Sequence, residues 1–400
     1  MSFVMKRLIK KVVKLPVLLL YHLLMLIHKT DNKIILFESN LGRNYSGNPR
    51  FIYEEMAAGG MDRVFRCYFI LENTGTQIPG NIRKVKRLSL FYFYLFAKAG
   101  IWISDTRMPT YLRKRKDTVY IQTWHGTPLK KLALDLEQVA MEGEKNLKDY
   151  KKRFLKNTGT WDYLISQNSY STGIFRRAFD YKKEILEIGY PRNDILFHKN
   201  NENDIHAIKQ MLKLPMDKKI ILYAPTWRDN EHYGHLSYKF SSGMDFEVLR
   251  DRLASEYIII VKAHYLVGEQ PDISRFGDFI RQFDASCDIA ELYLASDLLV
   301  TDYSSVMFDY SLLRRPMLFF AYDLEQYKDS LRGFYFDFLA EAPGPIVTAT
   351  HRLTEEILAY DPEKYKDKYN AFCKKFNHAD RGDASKKIAD LVRTKAEAMK

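Results

Sequence analysis

Apolar residues along this chain gather in short blocks, and the blocks alternate with longer stretches of helical spacing. Residues 34–37 (IILF), 67–71 (CYFIL), 101–104 (IWIS) and 119–122 (VYIQ) are brief and rich in β-branched and aromatic side chains. Runs of that kind predict strands buried on both faces. A loop over 40–50 and a helix through 54–58 follow the first run, and a helix over 88–98 precedes the third. Residues 163–166, 170–179 and 185–188 then read as strand, helix and strand. Such alternation argues for an α/β architecture, with parallel sheets covered by helices on both faces.

The segment Gly189-Tyr190-Pro191-Arg192-Asn193-Asp194 breaks the pattern, and a polar stretch over 199–204 follows it. The alternation then restarts, with strands expected at 220–223, 257–261, 298–301 and 317–320 and helices at 289–295 and 305–313. Helices are also expected at the C-terminal end, around Lys386, Lys387, Leu391 and Val392. The expected organisation is an N-terminal segment (1–30), a Rossmann-like domain (31–198) and a second Rossmann-like domain (199–400). Ligands of such sheets sit beyond the carboxyl ends of the strands.

The N-terminal segment carries Lys6, Arg7, Lys10, Lys11 and Lys14 ahead of a nearly unbroken apolar run over 15–27. That run falls short of the roughly 20 residues that span a bilayer. His28-Lys29-Thr30-Asp31 follows it in place of the small residues of a signal cleavage site. Two readings stand: a helix lying in the interface of an anionic membrane, or a helix packed on the body of the protein.

Charge narrows the partners. Lys and Arg number 62 against 50 for Asp and Glu, a surplus of 12, and residues 113–116 (RKRK) concentrate it. A surplus of that kind favours an anionic partner or else is a solvated basic face. No nucleic-acid recognition motif accompanies it. Cys67, Cys287 and Cys373 form no CxxC pair, so neither a disulfide framework nor a zinc site is expected, and a reducing, cytoplasmic setting fits.

Four polar clusters fall where a strand should end. In Gln122-Thr123-Trp124-His125-Gly126-Thr127-Pro128, His125 sits at a strand tip with Gly126 and Thr127 beside it, and an imidazole there suits a general base for a hydroxyl. It could equally cap the turn. Arg228, in Pro225-Thr226-Trp227-Arg228-Asp229, could grip phosphate oxygens or pair with Asp229. Lys262 and His264, two apart, point to one side and could both face a diphosphate. Thr301-Asp302-Tyr303-Ser304-Ser305 precedes a helix, and its hydroxyls and the free N–H groups of the helix start make an anion site or a simple cap. No phosphate-binding P-loop, dinucleotide fingerprint, HExxH or GxSxG is present. No strict Asp-x-Asp pair occurs either; Asp135-Leu136-Glu137 and Asp323-Leu324-Glu325 are the nearest imitations, so metal-independent chemistry without a cofactor is expected.

Together the clusters resemble the CDP-glycerol glycerophosphotransferase family of teichoic acid synthesis. The resemblance lies in Trp124-His125-Gly126-Thr127-Pro128-Leu129-Lys130, Ile188-Gly189-Tyr190-Pro191-Arg192-Asn193-Asp194, Tyr223-Ala224-Pro225-Thr226-Trp227-Arg228, Lys262-Ala263-His264 and Leu299-Val300-Thr301-Asp302-Tyr303-Ser304-Ser305. Asp337 with Pro343-Gly344-Pro345 looks like a further family element. Where the family often has Pro after the second histidine, this chain has Tyr265. The resemblance implies a GT-B architecture, two Rossmann-type domains facing a cleft. It implies His125 as catalytic base and His264 as a second essential histidine near the donor diphosphate. Ser304 and Ser305 match the pyrophosphate-binding turn, joined by Thr301, Arg228 and Lys262, while Gly126, Thr127 and Asp302 would line the rest of the cleft. The implied reaction moves glycerol phosphate, or a related polyol phosphate, from a CDP-linked donor to a lipid-diphosphate-linked saccharide and releases CMP, at the cytoplasmic face of the cell membrane. The family's polymerases tend to carry an extra N-terminal region, and the short lead before residue 31 points to priming or short extension. The alternative activity is that of a sugar-nucleotide glycosyltransferase or NDP-sugar epimerase on the same fold. An inactive anion-binding scaffold is the rival from another class.

Overall fold

The computed structural model describes residues 3–138, 146–226, 232–234, 237–238, 243–262, 273–284, 287–324 and 333–398. Seven parallel strands make the first sheet: β1 (Asp31–Glu38), β2 (Arg66–Leu71), β3 (Ile82–Lys86), β4 (Ala99–Ser104), β5 (Val119–Gln122), β6 (Tyr163–Ser166) and β7 (Glu184–Glu187). Their order is β3-β2-β1-β4-β5-β6-β7. All of β4 is buried, as a central strand between two helical layers must be. The edge strand β3 buries only Val85 and turns Arg83, Lys84 and Lys86 outward, which guards the open edge with charge.

The second sheet repeats the plan. Its strands are β8 (Lys219–Ala224), β11 (Tyr257–Val261), β12 (Ile280–Gln282), β13 (Leu298–Thr301), β14 (Met317–Phe320) and β15 (Ile346–Val347), in the order β12-β11-β8-β13-β14-β15 and all parallel. A short antiparallel pair, β9 (His232–Gly234) and β10 (Ser237–Tyr238), stands apart. Successive residues of β8 serve different cores: Ile220, Leu222 and Ala224 pack on one face, Ile221 and Tyr223 on the other. At the β14 edge the motif 343–345 has a steric reason, because a Cβ on Gly344 would lie 1.9 Å from the Met317 carbonyl oxygen.

The chain's last helix, Ala384–Ala398, packs across the first sheet. Its stripe of Ile388, Ala389, Val392 and Ala396 belongs to the first core. Asp194, at the junction of the halves, accepts the N–H groups of Ala384 and Ser385 at 3.2 and 2.6 Å. Asn32 at the start of β1 donates to the Ala396 carbonyl at 2.8 Å. The helical spacing demands that this stripe be covered but does not name the sheet that covers it.

The N-terminal helix, Phe3–Ile27, packs on the body of the protein along one face and leaves apolar residues open on another. Tyr21 is fully buried and donates to the Arg113 carbonyl at 2.6 Å, while Val17, Leu24 and Met25 pack on the first core. Leu15, Leu19, Leu23, Leu26 and Ile27 are each more than half exposed. No helix among the described residues is long and apolar enough to cross a membrane. The basic run is partly engaged: Arg115 reaches the Met25 carbonyl at 2.5 Å and the Ala97 carbonyl at 2.9 Å, and Lys114 reaches Asp162 at 2.9 Å. Only Arg113 and Lys116 of that run are exposed.

Ile388 is wholly buried where the last helix meets the first sheet. Ile388→Ala is expected to lower stability by about 2–5 kcal/mol, the usual range for such a core truncation. Urea unfolding followed by tryptophan fluorescence checks it, since Trp102, Trp124 and Trp161 all lie in that same core.

Candidate active site

Strand order reverses between β1 and β4 in the first sheet and between β8 and β13 in the second, and ligands gather at such points. The two carboxyl edges face each other. Gly126 of the first edge lies so close to Ser305 of the second that an added Cβ would be 2.9 Å from the Ser305 Oγ. The Gly47 N–H donates to Asp288 at 3.1 Å, and Arg50 pairs with Glu291 at 3.0 Å across the same seam.

His125 leaves β5 through a strained peptide. Trp124 has φ 54°, a left-handed conformation unfavourable for an indole-bearing residue. Burial of the ring against Trp161, Phe175 and Phe179 offsets the strain. Its N–H donates to the Gln122 side chain at 2.9 Å, and Asn48 donates to the Thr123 and Trp124 carbonyls at 3.2 and 3.0 Å. The His125 ring stacks on Trp124, with centroids 4.5 Å apart and planes 24° from parallel.

The imidazole Nδ1 lies 2.8 Å from the Asp105 carbonyl oxygen at the end of β4. A carbonyl can only accept, so the proton resides on Nδ1 and the Nε2 lone pair is free to take another. His125 is exposed, yet protein surrounds the recess it occupies. That desolvation, with the guanidinium groups of Arg192 and Arg107, moves its pKa down to about 4. The ring is therefore neutral at pH 7. Geometry leaves Nε2 open to accept a proton, while burial and the neighbouring cations keep the ring unprotonated beforehand.

The other residues expected from sequence are placed as follows. Ser304 and Ser305 lie in the turn after β13, with the Ser304 hydroxyl 3.4 Å from the Val306 N–H. Ser305, rather than Ser304, stands at the cap, and the α-helix is short, Val306–Tyr310, continued by the 3-10 turn Ser311–Leu313. A helix of that length has a small dipole, so the hydroxyls themselves carry any anion binding. Thr301 is fully buried and donates to the Ala224 carbonyl at 2.7 Å, fastening β13 to β8. Asp302 accepts from the Thr226 N–H and hydroxyl at 2.8 and 2.9 Å and holds two loops together. Thr127 is not on the cleft surface: it is buried and donates to Gln167, a distance of 2.5 Å. Lys262 has its ammonium on the Asp284 and Cys287 carbonyls, the latter at 2.8 Å, so it braces that segment. His264 and Arg228 lie outside the described residues.

Sequence reasoning gave no role to Arg192, Asp309, Asn48 or Asp105. Arg192 stands inside the motif 189–194, so its position was signalled though its task was not. Its guanidinium donates to the His125 carbonyl at 2.8 Å and pairs with Asp309 at 2.5 Å. Asp309 is buried and also accepts from Asn193 at 3.0 Å and Gln167 at 3.2 Å. Asp380 beside it accepts from the Tyr190 N–H at 3.1 Å, and burial pushes its pKa up to about 7.

The chain as a whole is similar to proteins of one family. The family model described as CDP-glycerol:poly(glycerophosphate) glycerophosphotransferase matches residues 20–394. A teichoic acid poly(glycerol phosphate) polymerase of Bacillus subtilis (strain 168) is 47% identical over 90% of this chain, which spans only 48% of that protein. Its counterpart from Bacillus spizizenii (strain W23) is 43% identical over 90% of this chain and 92% of its own length. A solved histidine-to-asparagine variant of the wall teichoic acid polymerase TagF, soaked with CDPG, superposes with a TM-score of 0.86 at 42% identity, covering 92% of this chain and 90% of that one. A polymerase that this chain matches nearly end to end shows that a short lead before the first domain does not mark a priming enzyme.

Glu38, at the end of β1, is wholly buried, and its carboxylate has no hydrogen-bond partner among the described residues; Arg87 is 3.7 Å away. Burial raises its pKa to about 7, against an opposing pull from Arg87 and with smaller contributions from Asp105 and Glu72. The folded state therefore keeps a proton that the unfolded chain releases from about pH 4.5, and stability contributed by this group falls as pH rises toward 7, at about 1.4 kcal/mol per unit. Glu38→Gln removes that slope. The melting temperature of the variant should gain on the parent between pH 5 and pH 7 and level off above that, as followed by circular dichroism.

Proposed function

Because the chain belongs to the CDP-glycerol:poly(glycerophosphate) glycerophosphotransferase family, we propose that it transfers glycerol phosphate, or a related polyol phosphate, from CDP-glycerol to a lipid-linked teichoic acid precursor. One observation carries the reading: His125 holds its proton on Nδ1 against the Asp105 carbonyl and offers Nε2 at the seam where Gly126 meets Ser305.

The acceptor hydroxyl gives its proton to Nε2 of His125 as its oxygen bonds to the phosphorus that bears the polyol. The bond from that phosphorus to the CMP oxygen breaks, and CMP leaves with the electron pair. Phosphoryl chemistry of this kind asks mainly for alignment and for neutralisation of charge. The Ser304 and Ser305 hydroxyls would donate to the donor phosphates, with His264 and Arg228 as further donors. Asp302, Thr301 and Lys262 hold the loops that present them, and Gly126 leaves the room that Ser305 occupies.

The acceptor brings the enzyme to a membrane, at its cytoplasmic face. Support comes from the N-terminal helix, whose buried Tyr21 fixes it to the body while Leu15, Leu19, Leu23, Leu26 and Ile27 remain open. A docked helix with an apolar outer face and flanking lysines suits the interface of an anionic leaflet.

Purified enzyme given CDP-glycerol and a lipid-diphosphate saccharide is expected to release CMP, and His125→Ala should lower the rate by about 10²–10⁴-fold, the usual worth of a general base. CMP release that survives this substitution would remove His125 from the role, and failure with CDP-glycerol and CDP-ribitol alike would overturn the reaction. Separately, Leu19→Glu with Leu23→Glu should abolish co-sedimentation with phosphatidylglycerol vesicles while leaving the melting temperature near that of the parent.

A further inference from the structure

His125 is tethered at two points. Its ring is held by the Asp105 carbonyl, within the first domain. Its peptide is held by Arg192, whose other arm grasps the second domain. Asp309, the residue grasped, sits on the short helix that begins directly after Ser304 and Ser305. A single guanidinium thus links the carbonyl of the proposed base to the helix of the proposed donor turn.

We propose that Arg192 is a positioning residue that sets the register between His125 and the Ser304–Ser305 turn, so that base and donor phosphorus align across the domain seam. The inference rests on the reading of His125 as base. Four contacts fix the side chain and its backbone: the His125 carbonyl at 2.8 Å, the Asp309 carboxylate at 2.5 Å, the Asn48 side chain receiving the backbone N–H at 3.1 Å, and the Tyr190 ring beneath the guanidinium at 5.3 Å. Asn48 in turn holds the Thr123 and Trp124 carbonyls, so both handles act on the loop that carries His125. Reaching two acceptors in different domains with parallel donors is a property of the planar fork, and an ammonium cannot reproduce it.

A purely structural clasp would affect stability alone. A positioning residue also affects turnover, because small misplacements of reacting groups cost orders of magnitude in rate. The charged groups facing His125 are Arg192 and Arg107, with Asp105 behind the ring and Asp309 behind Arg192. Removing the Arg192 cation relieves one of the repulsions that disfavour imidazolium, so the acid limb of the kcat/KM profile should move to higher pH.

The test compares Arg192→Met, Arg192→Lys and Asp309→Asn with the parent and with His125→Ala, measuring CMP release from CDP-glycerol and thermal melting. Arg192→Met is expected to lower kcat by tenfold or more, to change KM for CDP-glycerol by less than about threefold, and to shift the acid limb upward. Arg192→Lys should keep the acid limb in place and still lose turnover, and Asp309→Asn should lose turnover with Arg192 intact. Parent-like kcat in Arg192→Lys and Asp309→Asn, alongside an inactive His125→Ala, would overturn the proposal and leave the base intact. Should Arg192→Met fail to fold, those two variants decide the matter. An active His125→Ala would instead bring down the reading on which the proposal stands.

Discussion

Asp309 is a carboxylate buried where the two halves meet, and it finds three donors, all from residues 167–193. Gln167 follows β6, Arg192 and Asn193 lie in the connection between the halves, and Asp309 follows β13. Breaking a buried pair leaves an uncompensated charge and is strongly unfavourable, although the pair itself adds little net stability. Its effect is therefore on arrangement: these bonds favour the seating of the second sheet against the first in which all these groups are satisfied. The position of Ser305 over Gly126 follows from that seating, and so does the shape of the cleft.

Much of the architecture was legible in the chain. Apart from β1, which begins three residues before the expected 34–37, the strongly apolar strands of both sheets appear within a residue or two of their expected positions, because burial on both faces leaves an unmistakable run. The strands that escaped are at edges: β3 (IRKVK), β12 (IRQ) and β15 (IV) are charged or very short. Their pairing is set by neighbours rather than by their own composition. The helix Gly47–Ala58 begins well before the expected 54–58, since Gly-Asn-Pro reads locally as a loop until tertiary contacts claim it. The affiliation of Ala384–Ala398 with the first sheet was not readable at all, because periodicity reports a face to be buried and never its partner.

The site was legible as a list of strand tips and illegible as a mechanism. His125, Ser304 and Ser305 stand out as polar residues where apolar runs stop. What the spacing could not convey is division of labour. Thr127, Thr301 and Lys262 look like substrate contacts in a motif and are bound to the protein's own polar groups in space. Arg192 and Asn48 look incidental and turn out to hold the His125 loop. Side-chain direction at a strand tip depends on backbone angles such as the left-handed φ of Trp124, which no local pattern announces.

The return of the last helix to the first sheet has a consequence for the order in which the molecule is made. Asn32 and its partner Ala396 are separated by 364 positions, and the core around β1 and β4 lacks four of its apolar residues until that helix arrives. Domains commonly fold as they emerge from the ribosome, the N-terminal one first. Here the N-terminal half is synthesised first yet completes its core only after residues 384–398 are translated. Completion of the first core is thereby tied to synthesis of the helix Ala384–Ala398, and a polypeptide that stops before it is left with an open apolar face on its first sheet.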